Sequence, residues 1–377
     1  YYGYQTLDLL LGESDTAHLA GHYANWLYEQ DPDAWKLLLP ENSLEPIPTD
    51  LDEIWQSALP AELHYNSWIT DRAADFVNQQ NSNQPYFLFV SYPDPHHPFD
   101  PPAQYANRYD YREMPLPRID EGELDRLPPY CRDLYPMDQG FRESYWSADE
   151  GVEAGALVMT DGFSKESIQK SVAYTHALVE MIDDGVGKIL ETLEQSGQAD
   201  NTYIVFTSDH GEYLGEHGIM HKGPASYRQL TEVSMIMSGP GVKQGTTDAL
   251  TNHIDLAPSL LDLAGLPDSL PNADGQSFRP LLNGEGGFDR EFNFGEYHPT
   301  VKKDLYNQTI QTDKWRLTLY PEHPEWGELF DLENDPAEHD NKFNELCGSK
   351  LVRELRSVMN EMFFSIKEVE NKLLCKW

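Results

Sequence analysis

The chain has no apolar run near the roughly 18 residues that a membrane-spanning helix needs. Its longest such stretches are residues 86–90 and 203–206. Cysteine is scarce as well. Cys131, Cys347 and Cys375 are scattered through 377 residues, which gives neither a disulfide framework nor paired metal ligands. Positive charge is the third shortage: 27 Lys and Arg stand against 64 Asp and Glu, for a net charge of −37. That balance argues against a nucleic-acid partner, because phosphate contacts need clustered Lys and Arg. It also makes the long-range field unfavourable to an anionic ester, so a site for one must build its own cationic spot. The acidity reads equally as adaptation to salty or secreted surroundings and as generic solubility. There is no internal repeat and no low-complexity tract.

What is present suits a folded enzyme-sized unit. The 39% hydrophobic content is ample for a core, and the length suits two domains or one large domain with an appendage. Residues 1–65 mix Pro and Asp and read as surface excursions around short helices. Trp68, Ala73, Phe76 and Val77 mark a helix over 66–80, leading into a strand over 86–92. Residues 93–147 are rich in Pro, Tyr, Arg and Asp with little periodicity, a long loop region able to line a pocket. Ile168, Val172, Thr175, Val179, Ile182, Val186, Ile189 and Leu193 step by three and four through a helix over 164–197. Ser164 can cap it, Gly197 can end it, and Gly185 and Gly187 can bend it. A strand over 202–208 follows, and this helix-then-strand order is the doubly wound α/β pattern. After Gly265 the texture changes to short strands over 291–297, 309–311, 315–320 and 328–331, a small antiparallel sheet. Leu351, Leu355, Val358, Met362, Phe363, Ile366 and Val369 mark a closing amphipathic helix. The expected division is an α/β catalytic domain over 1–285 and a C-terminal α+β subdomain over 286–377.

The stretch from Thr207 to Gly218, followed by His221-Lys222-Gly223, carries the most chemical information. A β-branched apolar run ends abruptly in Asp209, His210 and Gly211, and a glycine-rich loop with further His and Lys follows. Open α/β sheets build sites from charged residues at the C-terminal ends of strands. Carboxylate oxygen and imidazole nitrogen suit a divalent metal, and a lysine suits an anionic substrate. Upstream, the run over 85–92 ends in adjacent imidazoles, His96 and His97. Each residue alone also has a plain reading: Asp209 as a turn acid, His210 as a surface imidazole, His96 and His97 as a Pro-rich turn, Lys222 as a solvated charge. His217 and His221 either help hold the pocket or are purely structural. Asp331, Glu333 and Asp335 imitate a calcium loop but lack its glycine and its late bidentate Glu, so they read as a turn. Asp255 and Pro258 read as a helix start.

These segments resemble the type I sulfatases of the alkaline phosphatase superfamily, with the phosphonate monoester hydrolases and choline-sulfatase-like enzymes as near relatives. Five motifs match in order between residues 85 and 341: the strand and Pro-His-x-Pro over 85–99, the Asp-His and Lys segment over 207–223, the strand and Gly-Pro-Gly turn over 230–241, the Asp-x-x-Pro helix over 252–265, and the signature over 328–338. The resemblance implies an alkaline phosphatase-like fold with a mostly parallel sheet. It implies Asp209 and His210 as ligands of a divalent metal, calcium in the first instance, with manganese or magnesium as alternatives. It implies that Lys222 contacts the sulfate, that His96 touches the sulfate or leaving group with His97 as the fallback, and that His217 and His221 border the substrate. The implied activity is hydrolysis of a small-molecule or carbohydrate sulfate ester by a formylglycine nucleophile. The Asp-His pair, in place of Asp-Asn, resembles the phosphonate and phosphodiester relatives, which keeps those substrates open.

One departure matters. The family's nucleophile arises from a Cys/Ser-x-Pro-x-Arg motif, and the contexts Cys131-Arg132-Asp133, Cys347-Gly348-Ser349 and Cys375-Lys376-Trp377 do not fit it. The expectation is therefore a sulfatase whose formylglycine segment lies in an N-terminal portion outside this sequence. A non-catalytic, metal-dependent binding protein of the same descent is the rival from another class.

Overall fold

The computed structural model describes residues 3–11, 20–80, 84–129, 158–223, 225–298 and 305–365. Two helices form the scaffold of the first part. Tyr65–Gln79 begins where the His64 side chain accepts from the Asn66 amide. Lys165–Gln195 begins where Ser164 Oγ accepts from the Ser167 amide, and Gly197, at φ 71°, turns the chain out beyond its end. This long helix is unbroken. Gly185 does not bend it; a Cβ there would meet Thr70 Oγ1 at 2.4 Å and Tyr92 Oη at 3.1 Å. The glycine is needed for close approach to the first helix and to the segment leading to His96. Among the described residues no helix is long and apolar enough to cross a membrane.

The strands behave in two ways. Ile204–Thr207 pairs antiparallel with Met235–Ser238. Residues 86–92, expected as a strand, run without a strand ladder, and Phe87 and Phe89 on one side are 62% and 67% exposed. Apolar alternation gives a segment its extended preference, but a strand also needs neighbours to satisfy its amides. A mostly parallel sheet was expected; the ladders formed by the described residues are antiparallel, and parallel pairing occurs only as the isolated bridges Ile54↔Phe99 and Ser57↔Pro102. Those bridges matter for the site. Phe99 N donates to Glu53 O at 2.8 Å and Trp55 N to Phe99 O at 3.2 Å, which lays Glu53 beside the His96-His97 turn.

The C-terminal part is a four-stranded antiparallel meander: Asn293–Tyr297, Asn307–Gln311, Trp315–Leu319 and Glu328–Asp331. Its Ile310, Leu317 and Leu329 face Val352, Leu355 and Met359 of the helix Lys350–Ser365. Ile366 and Val369, assigned to that helix from periodicity, lie outside the described residues, as do Cys131, Cys375 and residues 130–147 of the long loop region. Asp255 departs from its expected role as a simple N-cap. Asn252 caps the turn, and Asp255 reaches back to the Asn252 amide. Its carboxylate also takes both arms of the Arg290 guanidinium, at 2.6 and 2.8 Å. A buried carboxylate needs such a partner. Asp331 forms the expected turn, accepting from Asn334.

Two core clusters hold the loop that carries Lys222. Met220 packs with Leu51, Ile54, Phe99, Ala173 and Tyr174. Tyr213, Ile219, Ala225 and Tyr227 pack with Tyr320 and Phe330 of the C-terminal sheet. The loop is thereby fixed from both sides.

Candidate active site

The turn after Ile204–Thr207 is shaped by its own hydrogen bonds. The His210 amide donates to Asp209 Oδ1 at 2.8 Å, and Ser208 Oγ donates to His210 O at 2.8 Å. Nδ1 of His210 lies 2.8 Å from Gly211 O. A carbonyl only accepts, so Nδ1 carries the proton and Nε2 keeps a lone pair in the neutral ring. That Nε2 lies 3.6 Å from Asp209 Oδ2. Gly211 is obligatory: its amide donates to Leu230 O at 2.8 Å, and a Cβ would sit 1.9 Å from Gln229 O. The Asp209 side chain is 84% exposed. Burial of its base would raise the carboxyl, but the hydrogen bond from the His210 amide and the nearby Lys222 ammonium outweigh this and hold it below the ordinary range. Asp209 is therefore an ionised, outward-facing carboxylate.

The loop that follows returns Lys222 to this turn. Leu214, His217 and His221 adopt left-handed backbone at φ 49°, 56° and 64°, an uncommon state for non-glycine residues that clusters at functional sites. The Tyr213 amide donates to His221 O at 3.2 Å and the Gly215 amide to Ile219 O at 2.9 Å, closing the loop on itself. Lys222 comes close enough to depress Asp209 and His96 electrostatically.

His96 and His97 arrive from the opposite side. His97 is buried and its ring stacks on His221 with centroids 4.0 Å apart, while the His96 ring lies tilted against it at 4.1 Å. Glu53 Oε2 lies 3.6 Å from His221 Nε2. Burial drives all three imidazoles below their ordinary pKa, with Lys222 adding to the effect, and His221 falls to about 3. Near neutral pH these rings are uncharged. His96 Nδ1 contacts His97 O at 2.5 Å, so its proton sits on Nδ1 and Nε2 presents a lone pair. His96 lies within electrostatic range of Lys222, His210 and Asp209 together.

Asp209, His210, Lys222 and His96 thus gather in one place, with His97 and His221 stacked behind. His217 is placed differently. It is buried, with Nδ1 2.7 Å from Glu123 Oε1 and its ring stacked on Tyr227. Among the described residues two groups could hold a metal ion, Glu53–His97–His221 and Glu123–His217–His339. Sequence reasoning did not select Glu53, Glu123 or His339. Glu53 and Glu123 sit in aperiodic stretches with no local signal, whereas His339 directly follows the matched 328–338 signature.

The sulfatase family model matches residues 25–266, and the family model for the C-terminal region of N-sulphoglucosamine sulphohydrolase matches residues 215–364. The chain belongs to the sulfatase family. This sulfatase-family chain is 26% identical over 317 residues to an arylsulfatase of Clostridium perfringens, covering 82% of this chain and 59% of that protein. It thus spans less than two thirds of that relative's length. In fold it is similar to a phosphonate monoester hydrolase of Agrobacterium radiobacter, at a TM-score of 0.70 and 20% identity, covering 91% of this chain and 68% of the other. It is also similar to a protein solved in complex with its substrate D-glucosamine-2-N,6-O-disulfate, at a TM-score of 0.64 and 21% identity, covering 81% and 70%. These neighbours place this sulfatase-family chain in the alkaline phosphatase-like α/β class, with the small antiparallel C-terminal sheet.

Proposed function

We propose that this chain supplies the substrate-facing and part of the metal-binding machinery of a sulfuric ester hydrolase. The observation that carries the reading is the convergence of an ionised, outward carboxylate (Asp209), an imidazole with an accessible lone pair (His210), a cation (Lys222) and the neutral His96. Asp209 and His210 fit a divalent cation in donor type: one hard anionic oxygen and one nitrogen. They are two donors of the four to eight that such ions take, so they form part of a coordination shell. Calcium, manganese and magnesium all remain within that chemistry. The formylglycine nucleophile fits none of the cysteines in this sequence, so the residues present correspond to charge stabilisation rather than attack.

Each residue then has a role. When bound, a divalent ion would polarise the ester oxygens as a Lewis acid. Lys222 offsets negative charge on the non-bridging oxygens as the transition state forms. Such pre-positioned charge gains most in a site that needs no reorganisation. His96, neutral with an Nε2 lone pair, accepts a hydrogen bond from the alcohol product once it is protonated, or from the water that takes its place. His97 and His221, stacked behind it, hold the ring in place.

A second reading stays within the family. The Asp-His pair and the likeness in fold to a phosphonate monoester hydrolase favour a phosphonate monoester or phosphodiester as an alternative substrate. Rates of the intact protein on para-nitrophenyl sulfate and on the matching phosphonate monoester separate the two, with faster sulfate hydrolysis expected. Asp209→Ala is expected to remove metal and turnover together. Metal content unchanged in that variant overturns the ligand assignment. Robust hydrolysis of para-nitrophenyl sulfate by the 377-residue chain alone overturns the view that its residues lack the nucleophile.

A further inference from the structure

A second constellation of metal-type donors lies away from the Asp209 turn. His217 Nδ1 is 2.7 Å from Glu123 Oε1, and His339 Nδ1 is 2.9 and 3.0 Å from the two oxygens of the same carboxylate. The histidines come from the loop that carries Lys222 and from the turn after the last strand of the C-terminal sheet. The carboxylate comes from the short helix Glu123–Arg126, 94 and 216 positions away from its partners. All three side chains are buried. His217 Nε2 has no hydrogen-bond partner among the described residues, so the ring is positioned from its Nδ1 side. Its backbone is left-handed at φ 56°, a conformation that persists only where the surroundings over-determine it.

The charge around this cluster points the same way. Glu123 is a buried carboxylate, whereas the neighbouring buried Glu338 is already paired with Arg316. His217 acts electrostatically on both Glu328 and Glu338. Buried carboxylates call for paired positive charge or a coordinated ion. Two imidazole nitrogens and one carboxylate oxygen are a recurrent donor set for zinc, with room for one further ligand. Zinc bonds of roughly 2.0–2.2 Å in a tetrahedron would set the donors about 3.4 Å apart. Each imidazole need move from the carboxylate by only several tenths of an ångström to reach that spacing, and the three donor atoms already lie within 4.8 Å of one another.

We propose that Glu123, His217 and His339 bind a zinc ion, or another divalent ion that takes imidazole ligands, in a buried structural site separate from the Asp209–His210 turn. The ion clamps the C-terminal sheet to the loop that presents Lys222. The site is independent of the hydrolase reading, because its readouts are metal content and melting rather than turnover.

The test uses the 377-residue chain carrying Asp209→Ala and Glu53→Gln, which disable the Asp209–His210 turn and the Glu53–His97–His221 group, stripped with a chelator and then titrated with zinc chloride or calcium chloride. One equivalent of zinc per chain is expected, with a melting temperature raised by several degrees by zinc and unmoved by calcium. On that background His339→Asn is expected to weaken zinc at least about a hundredfold, beyond the range for lost supporting groups around a metal. His339→Cys, which swaps imidazole for thiolate, is expected to keep zinc. Unchanged zinc affinity in His339→Asn overturns the site, as does a parent whose melting zinc does not move. Should His339→Asn fail to fold, anomalous scattering at the zinc edge from crystals of the zinc-treated chain decides. A peak among the three side chains supports the site, and its absence there refutes it.

Discussion

Glu328 keeps its carboxyl 2% exposed, with Tyr227 Oη donating to one oxygen at 2.6 Å and Tyr320 Oη to the other at 2.9 Å. Burial pushes the group up to about 7 in spite of those phenols. In the unfolded chain it titrates near 4.5. Between those values the folded protein holds the extra proton, so stability falls as pH rises from about 4.5 to about 7 and then levels off. The group's share is roughly 3 kcal/mol at most. Buried His64 and His221, both lowered to about 3, act in the opposite sense: their share of stability is gained as pH rises towards 6.5. Comparing Glu328→Gln with the parent cancels those imidazoles. In metal-stripped protein the variant is expected to match the parent near pH 5 and to exceed it by about 1–3 kcal/mol near pH 8, read by urea melts. Parallel pH profiles would show that the carboxyl ionises normally. At the site itself, Lys222→Ala in the intact enzyme is expected to spare bound metal and cut turnover about a hundredfold or more. Unimpaired turnover would remove Lys222 from the reaction. Asp209, His210, His96 and Lys222 could be singled out in the sequence because their segments resemble sulfatase motifs in order; each taken alone also has a plain reading as a turn acid, a surface imidazole or a solvated charge. Glu53 and Glu123 could not be, because they meet their histidines only after long-range folding, 94 positions apart in the case of Glu123 and His217.

At the scale of elements, the Asp-His turn depends on one glycine. The Gly211 amide is bonded to Leu230 O, and the space a Cβ would take is filled by Gln229 O at 1.9 Å. Backbone cannot swing aside as a side chain can, so Gly211→Ala has to shift the turn away from the Gln229–Leu230 segment. A loss of about 1–3 kcal/mol is expected, in the range of overpacking, together with loss of metal at Asp209 and His210. A melting temperature and metal content equal to the parent's would mean the turn is slack. Ser164→Ala tests the long helix in a milder way. Ser164 Oγ accepts from the Ser167 amide, and its loss is expected to lower stability by about 1 kcal/mol in a thermal melt. The helix Tyr65–Gln79 was readable from apolar spacing, Lys165–Gln195 from spacing and its Ser164 cap, and the C-terminal meander from short β-rich runs between turns. The reading failed where the deciding term was a neighbour rather than a local preference. Residues 86–92 have the composition of a strand and no ladder, and Gly185 looked like a bend but is a contact with Thr70 and Tyr92.

At the scale of the whole molecule, 64 acidic side chains against 27 basic ones leave a charge of −37. Self-repulsion of that size opposes the compact state, since unfolding lets like charges move apart. Local pairs such as Arg108–Glu180 at 2.6 Å and Lys188–Asp71 at 2.5 Å are exposed, so each offsets little. The screening length falls from about 30 Å in 0.01 M salt to about 8 Å at 0.15 M. Over that change, repulsion between distant carboxylates fades while contact pairs and buried partners such as Arg290–Asp255 are screened much less. The net sign follows from the imbalance: more repulsive pairs are removed than attractive ones. The melting temperature of the metal-stripped chain is therefore expected to rise when sodium chloride is raised from 0.01 to 0.15 M, and to rise equally with potassium chloride. A response to one salt and not the other would indicate specific ion binding. A flat or falling melting temperature would mean that the acidic side chains are arranged among the basic ones closely enough to cancel their own excess.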